Sequence, residues 1–204
     1  MQIFITGTDT NIGKTIVSSW LCLHTGYSYF KPIQTGSINN TDSNFIKKLN
    51  INTYQESFVY KHPASPHLAA RLENQSININ NINIPKDNNL IIEGAGGLLV
   101  PINKNILLID LIKKINVPVI LVAKSTLGTI NHTLLSLEAL RSRNINILGV
   151  ILNNISNQDF KHNLQAIEFY GKTKVLACLP KLNRITTNTL LKIKLTNKLN
   201  KLCH

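Results

Sequence analysis

Cysteine is scarce in this chain of 204 residues, and the few present do not pair by spacing. Cys22, Cys178 and Cys203 are odd in number, far apart and without a Cys-x-x-Cys unit, so they read as ordinary thiols in a reduced compartment. Long apolar runs are missing as well, and no uninterrupted stretch would span a bilayer. Met1-Gln2 leads directly into a β-prone run, without the layout of a signal peptide. A cytoplasmic protein without a membrane partner is the expectation. Acidic residues are the third shortage: 10 Asp and Glu face 22 Lys and Arg, a net charge of +12. Such a surplus marks either a nucleic-acid partner or a solvated surface. The basic residues are scattered, and their densest run, Lys192 to Lys201, is interleaved with Leu191, Leu195, Leu199 and Leu202 near helical spacing. The lysines there read as the wet face of a terminal helix. A bias toward Asn, Ile and Lys pervades the chain, as in residues 74–84, and points to compositional drift. No nucleic-acid partner is expected.

What is present is a globular composition, 43% hydrophobic and 16% charged, long enough for one domain over residues 1–204. The opening is its most informative stretch. Ile3-Phe4-Ile5 runs into Thr6-Gly7-Thr8-Asp9-Thr10-Asn11-Ile12-Gly13-Lys14-Thr15, and an apolar-periodic segment follows. That strand–loop–helix order is a phosphate-binding loop, in which backbone N–H groups and a helix N-terminus converge on phosphate oxygens. Lys14 would reach the β- and γ-phosphates, and the Thr15 hydroxyl would ligate magnesium. Five residues separate Gly7 from Gly13, one more than the common spacing.

Strand-like runs recur at residues 2–6, 27–33, 89–93, 117–123 and 145–152, more weakly at 174–177. Helical patterns lie near 14–24, 42–49, 106–115, 129–143 and 158–169. Leu90-Ile91-Ile92 and Val119-Ile120-Leu121-Val122 do not alternate, as befits strands buried on both faces. The prediction is an α/β fold of the P-loop NTPase type: a mainly parallel central sheet with helices on both faces. Ligands should gather at the carboxyl ends of the strands. No internal repeat is apparent, and the Asn/Ile stretch at 74–84 reads as a surface connection.

Several segments fall at those carboxyl ends. In Lys31-Pro32-Ile33-Gln34-Thr35-Gly36 the proline biases Lys31 toward extended geometry. Lys31 is either a second cation for a phosphoryl-transfer site or an ordinary surface lysine. Glu93 ends an apolar strand, just before Gly94-Ala95-Gly96-Gly97. A buried carboxylate must be paired or hold a cation, so Glu93 joins Thr15 and Asp42 as a candidate magnesium ligand. Leu127-Gly128-Thr129-Ile130-Asn131-His132 opens a helix whose free N–H groups suit a carboxylate, although Asn131 and His132 read equally as capping or packing residues. Asn153-Asn154 either reads a base edge or makes a turn.

Together these segments resemble the ATP-dependent dethiobiotin synthetases, from residue 2 to about residue 182, with Ser65-Pro66-His67 as a further shared motif in the same order. The resemblance implies a magnesium- and ATP-dependent ring closure that uses 7,8-diaminononanoate and CO2. One amine traps CO2 as a carbamate, the carbamate attacks the γ-phosphate, and the second amine closes the ring. It implies Lys14, Lys31 and Thr35 as catalytic residues, with Thr35 bonding the carbamate. Nucleotide contacts would come from Asn11, Ile12, Gly13, Lys14, Thr15 and Ile16. Asp42, Glu93, Gly94, Ala95 and Gly96 would add to them, with Asn153 and Asn154 at adenine and Pro180, Lys181 and Leu182 lining the pocket. Magnesium would be held by Thr15, Asp42 and Glu93. The substrate would meet Thr10 and Thr35, and its distal carboxylate would meet Leu127, Gly128, Thr129 and Asn131 of the partner in a homodimer with shared sites.

The chain departs from that family's usual pattern in three places. Asn11 stands where glutamate is common, residues 74–89 are short and Asn-rich, and the chain ends soon after the pocket segment. Two rivals share the phosphate loop. Amidating synthases of corrinoid biosynthesis need a glutaminase domain with its nucleophilic cysteine, and none is expected here. DNA-partitioning ATPases usually carry an early loop lysine, where this chain has Thr8-Asp9-Thr10.

Overall fold

The computed structural model describes residues 1–36, 41–155 and 160–203. In chain order the strands are β1 (Gln2–Gly7), β2 (Ser28–Phe30), β3 (Ile33–Thr35), β4 (Phe58–Tyr60), β5 (Leu90–Glu93), β6 (Val119–Lys124), β7 (Ile147–Ile155) and β8 (Val175–Pro180). The helices are α1 (Lys14–Thr25), α2 (Asp42–Lys47), α3 (Pro66–Leu72), α4 (Leu108–Ile115), α5 (Thr129–Arg141), α6 (Phe160–Gly171), α7 (Thr187–Leu191) and α8 (Asn197–Cys203). Six strands form one parallel sheet in the order β2-β5-β1-β6-β7-β8, and β3 and β4 make a separate parallel pair. With β5 on one side of β1 and β6 on the other, the strand order reverses at β1. The loop after β1 therefore opens into the crevice where such sheets bind ligands.

Strand periodicity explains the two-sided core. Ile3 and Ile5 of β1 join one apolar cluster with Val17, Trp20 and Leu21 of α1, while Phe4 between them joins another with Leu108, Leu111 and Ile112 of α4. In β6, Ile120 and Val122 face the α1 side, whereas Leu121 and Ala123 pack with Leu137 of α5 and Ile167 of α6. Both faces of the sheet are covered, so the middles of β1, β5 and β6 carry consecutive apolar residues. The parallel sheet with helices on both faces is thus the predicted fold.

Three expectations are corrected. The strand foreseen at 27–33 is two: the chain leaves the main sheet at Lys31-Pro32, and β3 pairs only with β4. Pro32 has no N–H to donate, and its carbonyl accepts from the N–H groups of Ser57 and Phe58, each at 3.0 Å, which draws the chain toward β4. The single terminal helix is also two, α7 and α8, with a break before Thr196, whose hydroxyl donates to the Leu176 carbonyl at 2.6 Å. Leu199 is fully buried there, and Lys192, Lys194, Lys198 and Lys201 are exposed, as a wet face requires. The Asn-rich connection lies on the surface in part only, since Ile77 and Ile82 plug into the α4-side core around one 3-10 turn at Ile79–Asn81.

Other elements agree within a few residues. The first two residues of the helix foreseen at 158–169 lie outside the described residues. Among the described residues no helix is long and apolar enough to cross a membrane.

Candidate active site

The loop between β1 and α1 turns on two left-handed residues, Asn11 at φ 57° and Gly13 at φ 90°. Gly13 has a second reason to lack a side chain, because a Cβ there would lie 1.9 Å from the Asn153 amide nitrogen. That Asn153 nitrogen donates to the Ile12 carbonyl at 2.9 Å, so β7 clamps the loop from inside. Lys14 begins α1 and folds back to donate to the Asp9 carbonyl at 2.8 Å. Burial lowers the Lys14 ammonium to about 8; Glu93 opposes this, and Lys31 adds to it.

Beside the loop, side chains from α1, α2, β5 and the β2–β3 connection meet. The Thr15 hydroxyl lies 3.0 Å from Asp42 Oδ1 and 2.8 Å from Glu93 Oε1. Lys31 Nζ lies 3.3 Å from Glu93 Oε1 and also pairs with Asp42 Oδ2. Burial works against the charge on Lys31, but Glu93 and Asp42 outweigh it and raise its pKa. For Asp42 burial pushes upward, yet Lys31 and the Thr15 hydroxyl hold the carboxyl below its ordinary value. Lys31 is therefore no surface lysine: its side chain is 7% exposed, and its charge is close enough to act on Lys14.

Two members of this network were not anticipated. Ser18 donates to Glu93 Oε2 at 2.8 Å, fixing the carboxylate so that Oε1 faces Thr15 and Lys31. Thr15 and Ser18 stand three residues apart on one face of α1, and that hydroxyl pair was the available signal. Gln34 accepts from the Asp42 N–H at 3.1 Å and donates to the Thr35 carbonyl at 2.7 Å. Nothing in the sequence distinguished it from its neighbours.

A cavity of about 470 Å³ runs over the network, lined by Thr10, Asn11, Gly13, Lys14, Thr15, Ile16, Lys31, Gln34, Thr35, Asp42, Glu93, Ala95 and Gly96. Gly94 lies behind it, close against the Phe4 ring, and does not line it. A second cavity, about 190 Å³, continues past Ile12, Gly13 and Ile16 to Asn153, Asn154, Pro180 and Leu182. Lys124, at the end of β6, lines it too, and Lys181 points away, exposed. Asn154 sits at φ 60° where the β7–β8 register shifts, so it marks an irregularity within β7 and not a turn, while Asn153 faces the loop. Leu127, Gly128 and Asn131 stand apart and exposed, whereas Thr129 is buried. Gly128, at φ 88°, caps α5, and the Thr129 N–H is already accepted by the Thr126 carbonyl at 3.0 Å.

Among the described residues no group of three or more His, Cys, Asp or Glu is suited to a metal. Thr15, Asp42 and Glu93 nonetheless fit magnesium, because that ion takes one or two carboxylates and completes its shell with hydroxyl, water and phosphate oxygens. They are hard oxygen donors that already converge.

A family profile described as "AAA domain" matches residues 1–189. The chain is 61% identical to the ATP-dependent dethiobiotin synthetase BioD of Lawsonia intracellularis over 99% of its own length and 98% of that protein's. It is 42% identical to the BioD of Neorickettsia sennetsu, over 96% and 92%. Identity to the BioD of Paramagnetospirillum magneticum is 44%, over 92% of each chain. Among solved structures, a ParA family ATPase from Chlorobium tepidum superposes with a TM-score of 0.59 at 11% identity, covering 99% of this chain and 95% of that one. MinD in the MinC:MinD complex of Aquifex aeolicus gives 0.56 at 16% identity, covering 89% and 82%. These two share the fold alone.

Proposed function

The chain belongs to the ATP-dependent dethiobiotin synthetase family, an ATP-using cyclo-ligase family of biotin biosynthesis, and on that premise we propose the course of its reaction. It closes the ureido ring of dethiobiotin from 7,8-diaminononanoate and CO2, with release of ADP and phosphate. The supporting observation is the convergence of Lys14, Thr15, Lys31, Asp42 and Glu93 on one cavity that also holds Thr10 and Thr35. The whole chain serves this site as one cytoplasmic domain.

An amine of the diamine adds to CO2 as its nitrogen lone pair forms the C–N bond, and loss of a proton leaves a carbamate. Thr35 donates its hydroxyl to that carbamate, Thr10 flanks the substrate, and Lys31 balances its charge. A carbamate oxygen then attacks the γ-phosphorus, the bond to ADP breaks, and a carbamic–phosphoric anhydride results. Lys14 lies against the phosphates and stabilises the charge spread over the transferring phosphoryl oxygens, an electrostatic role worth several kcal/mol in such sites. The second amine attacks the carbonyl carbon, the ring closes, and phosphate leaves. Thr15, Asp42 and Glu93 would hold magnesium, which when bound neutralises phosphate charge.

Asn11, Ile12, Gly13 and Ile16 would hold the triphosphate together with Ala95 and Gly96, with Gly94 behind the cavity wall. Asn153 contacts adenine through Oδ1, its Nδ2 being committed to Ile12. Asn154, Pro180, Lys181 and Leu182 complete the base pocket. Leu127, Gly128, Thr129 and Asn131 of a partner subunit take the distal carboxylate, so the working unit is a homodimer with shared sites. Incubation with ¹³C-bicarbonate, the diamine, ATP and magnesium tests this reading. Dethiobiotin heavier by one mass unit is expected, and unlabelled or absent ring product overturns it.

A further inference from the structure

Gln34 is 6% exposed, and both ends of its carboxamide are bound to backbone. Its Oε1 accepts from the Asp42 N–H at 3.1 Å, and its Nε2 donates to the Thr35 carbonyl at 2.7 Å. One bond reaches the first residue of α2, whose carboxylate takes Thr15 and Lys31. The other holds a residue that lines the same cavity.

The main sheet cannot place either of those residues. Glu93 ends β5, inside the six-stranded sheet, and inherits its rigidity. Thr35 lies in β3, which has left that sheet and pairs only with β4. Asp42 opens a helix of six residues, too short to hold itself by its own hydrogen bonds. Buried Ile46 anchors the body of α2, and Thr41 caps it by accepting from the Asn44 N–H at 3.1 Å. Neither contact ties Asp42 to the substrate side of the cavity. The Gln34 carboxamide does.

Resting on the proposed reaction, we propose that Gln34 is a positioning residue that couples the two halves of the site. Its acceptor sets Asp42 for the magnesium–nucleotide side, and its donor sets Thr35 for the carbamate side.

Two variants separate the arms. Gln34→Met keeps the volume but leaves the Asp42 N–H and the Thr35 carbonyl without a partner. Its magnesium affinity in the presence of ADP, read by calorimetry, should fall about tenfold, and the diamine KM should rise about tenfold. ADP binding in EDTA should stay within about twofold of wild type, since the phosphate loop is untouched. Gln34→Glu keeps an acceptor for Asp42 and loses the donor to Thr35. It should retain magnesium affinity while the diamine KM stays raised.

A residue that only supports the fold would lower thermal stability and leave both quantities unmoved, and that result would overturn the inference. Equal loss of both in Gln34→Glu would overturn it too. Should Gln34→Met fail to fold, the split in Gln34→Glu decides alone. Failure of the underlying reaction looks different, because wild-type protein would then give no ring product. The magnesium–ADP arm would still report on Gln34 and Asp42 in that case.

Discussion

The cavity and the start of α5, which stands apart from it, are built in opposite ways. In the first, buried Ser18, Lys31 and Glu93 and half-buried Thr15 and Asp42 form a network in which every carboxylate oxygen has a hydroxyl or ammonium partner. In the second, Leu127 and Asn131 stand exposed. The Thr129 N–H there is taken by the Thr126 carbonyl, so a carboxylate would use the N–H groups that follow it in the first turn. In the proposed reaction the two places divide the work. Phosphate, metal and carbamate chemistry would need converging charges preorganised in one pocket. The distal carboxylate would need only N–H donors, which in the proposed homodimer come from a second copy of the chain.

Loss of the network should do the greatest damage. Lys14→Ala should abolish turnover, a deficit on the order of several kcal/mol in transition-state stabilisation; steady-state rates near wild type would remove the phosphate-loop assignment. Lys31→Ala should cut kcat strongly with ATP binding largely intact, because Lys31 touches Asp42 and Glu93 and no loop backbone. An effect on ATP affinity alone would move Lys31 to the nucleotide side. At the start of α5, mixing Lys14→Ala chains with Asn131→Ala chains should restore part of the activity in heterodimers. No rescue in confirmed heterodimers would make each chain self-sufficient.

Two smaller effects sharpen the contrast. Lys14 must be charged to hold phosphate, and burial sets its ligand-free value at about 8. This value lies below that of an unfolded lysine, so below pH 8 the fold carries the full cost of a buried charge. Stability of the ligand-free protein should therefore gain from this group as pH rises from about 8 toward 10.5, while nucleotide affinity falls over the same rise. Calorimetry near pH 9 should show proton uptake on ADP binding, and a flat profile would contradict the burial argument. Ser18→Ala should lower stability by about 1–3 kcal/mol, by leaving Glu93 Oε2 buried and unpaired. Denaturant midpoints and m-values would show it, and no change would mean that Glu93 finds another partner.

The sequence made the network legible in part. Gly13-Lys14-Thr15 after an apolar run, and Glu93 ending another, carry their chemistry in residue type and place. The parallel sheet was readable for a similar reason, since strands buried on both faces leave unbroken apolar runs. Ser18 and Gln34 were not readable, because a serine in a helix and a glutamine in a short strand acquire a role only from what folding sets beside them. The break at Pro32 and the split tail escaped because β3, β4, α3 and α7 are only three to seven residues long, too short to show a period. Ile77 and Ile82 escaped because an Asn-rich background hides two buried anchors.

In the proposed reaction ATP cleavage is tied to ring closure. Phosphate release measured with and without 7,8-diaminononanoate, beside dethiobiotin counted by mass, tests it most directly. Phosphate should appear only when the diamine is present, one for each ring formed. Diamine-independent hydrolysis without ring product would leave a phosphate-binding loop of another purpose and contradict it.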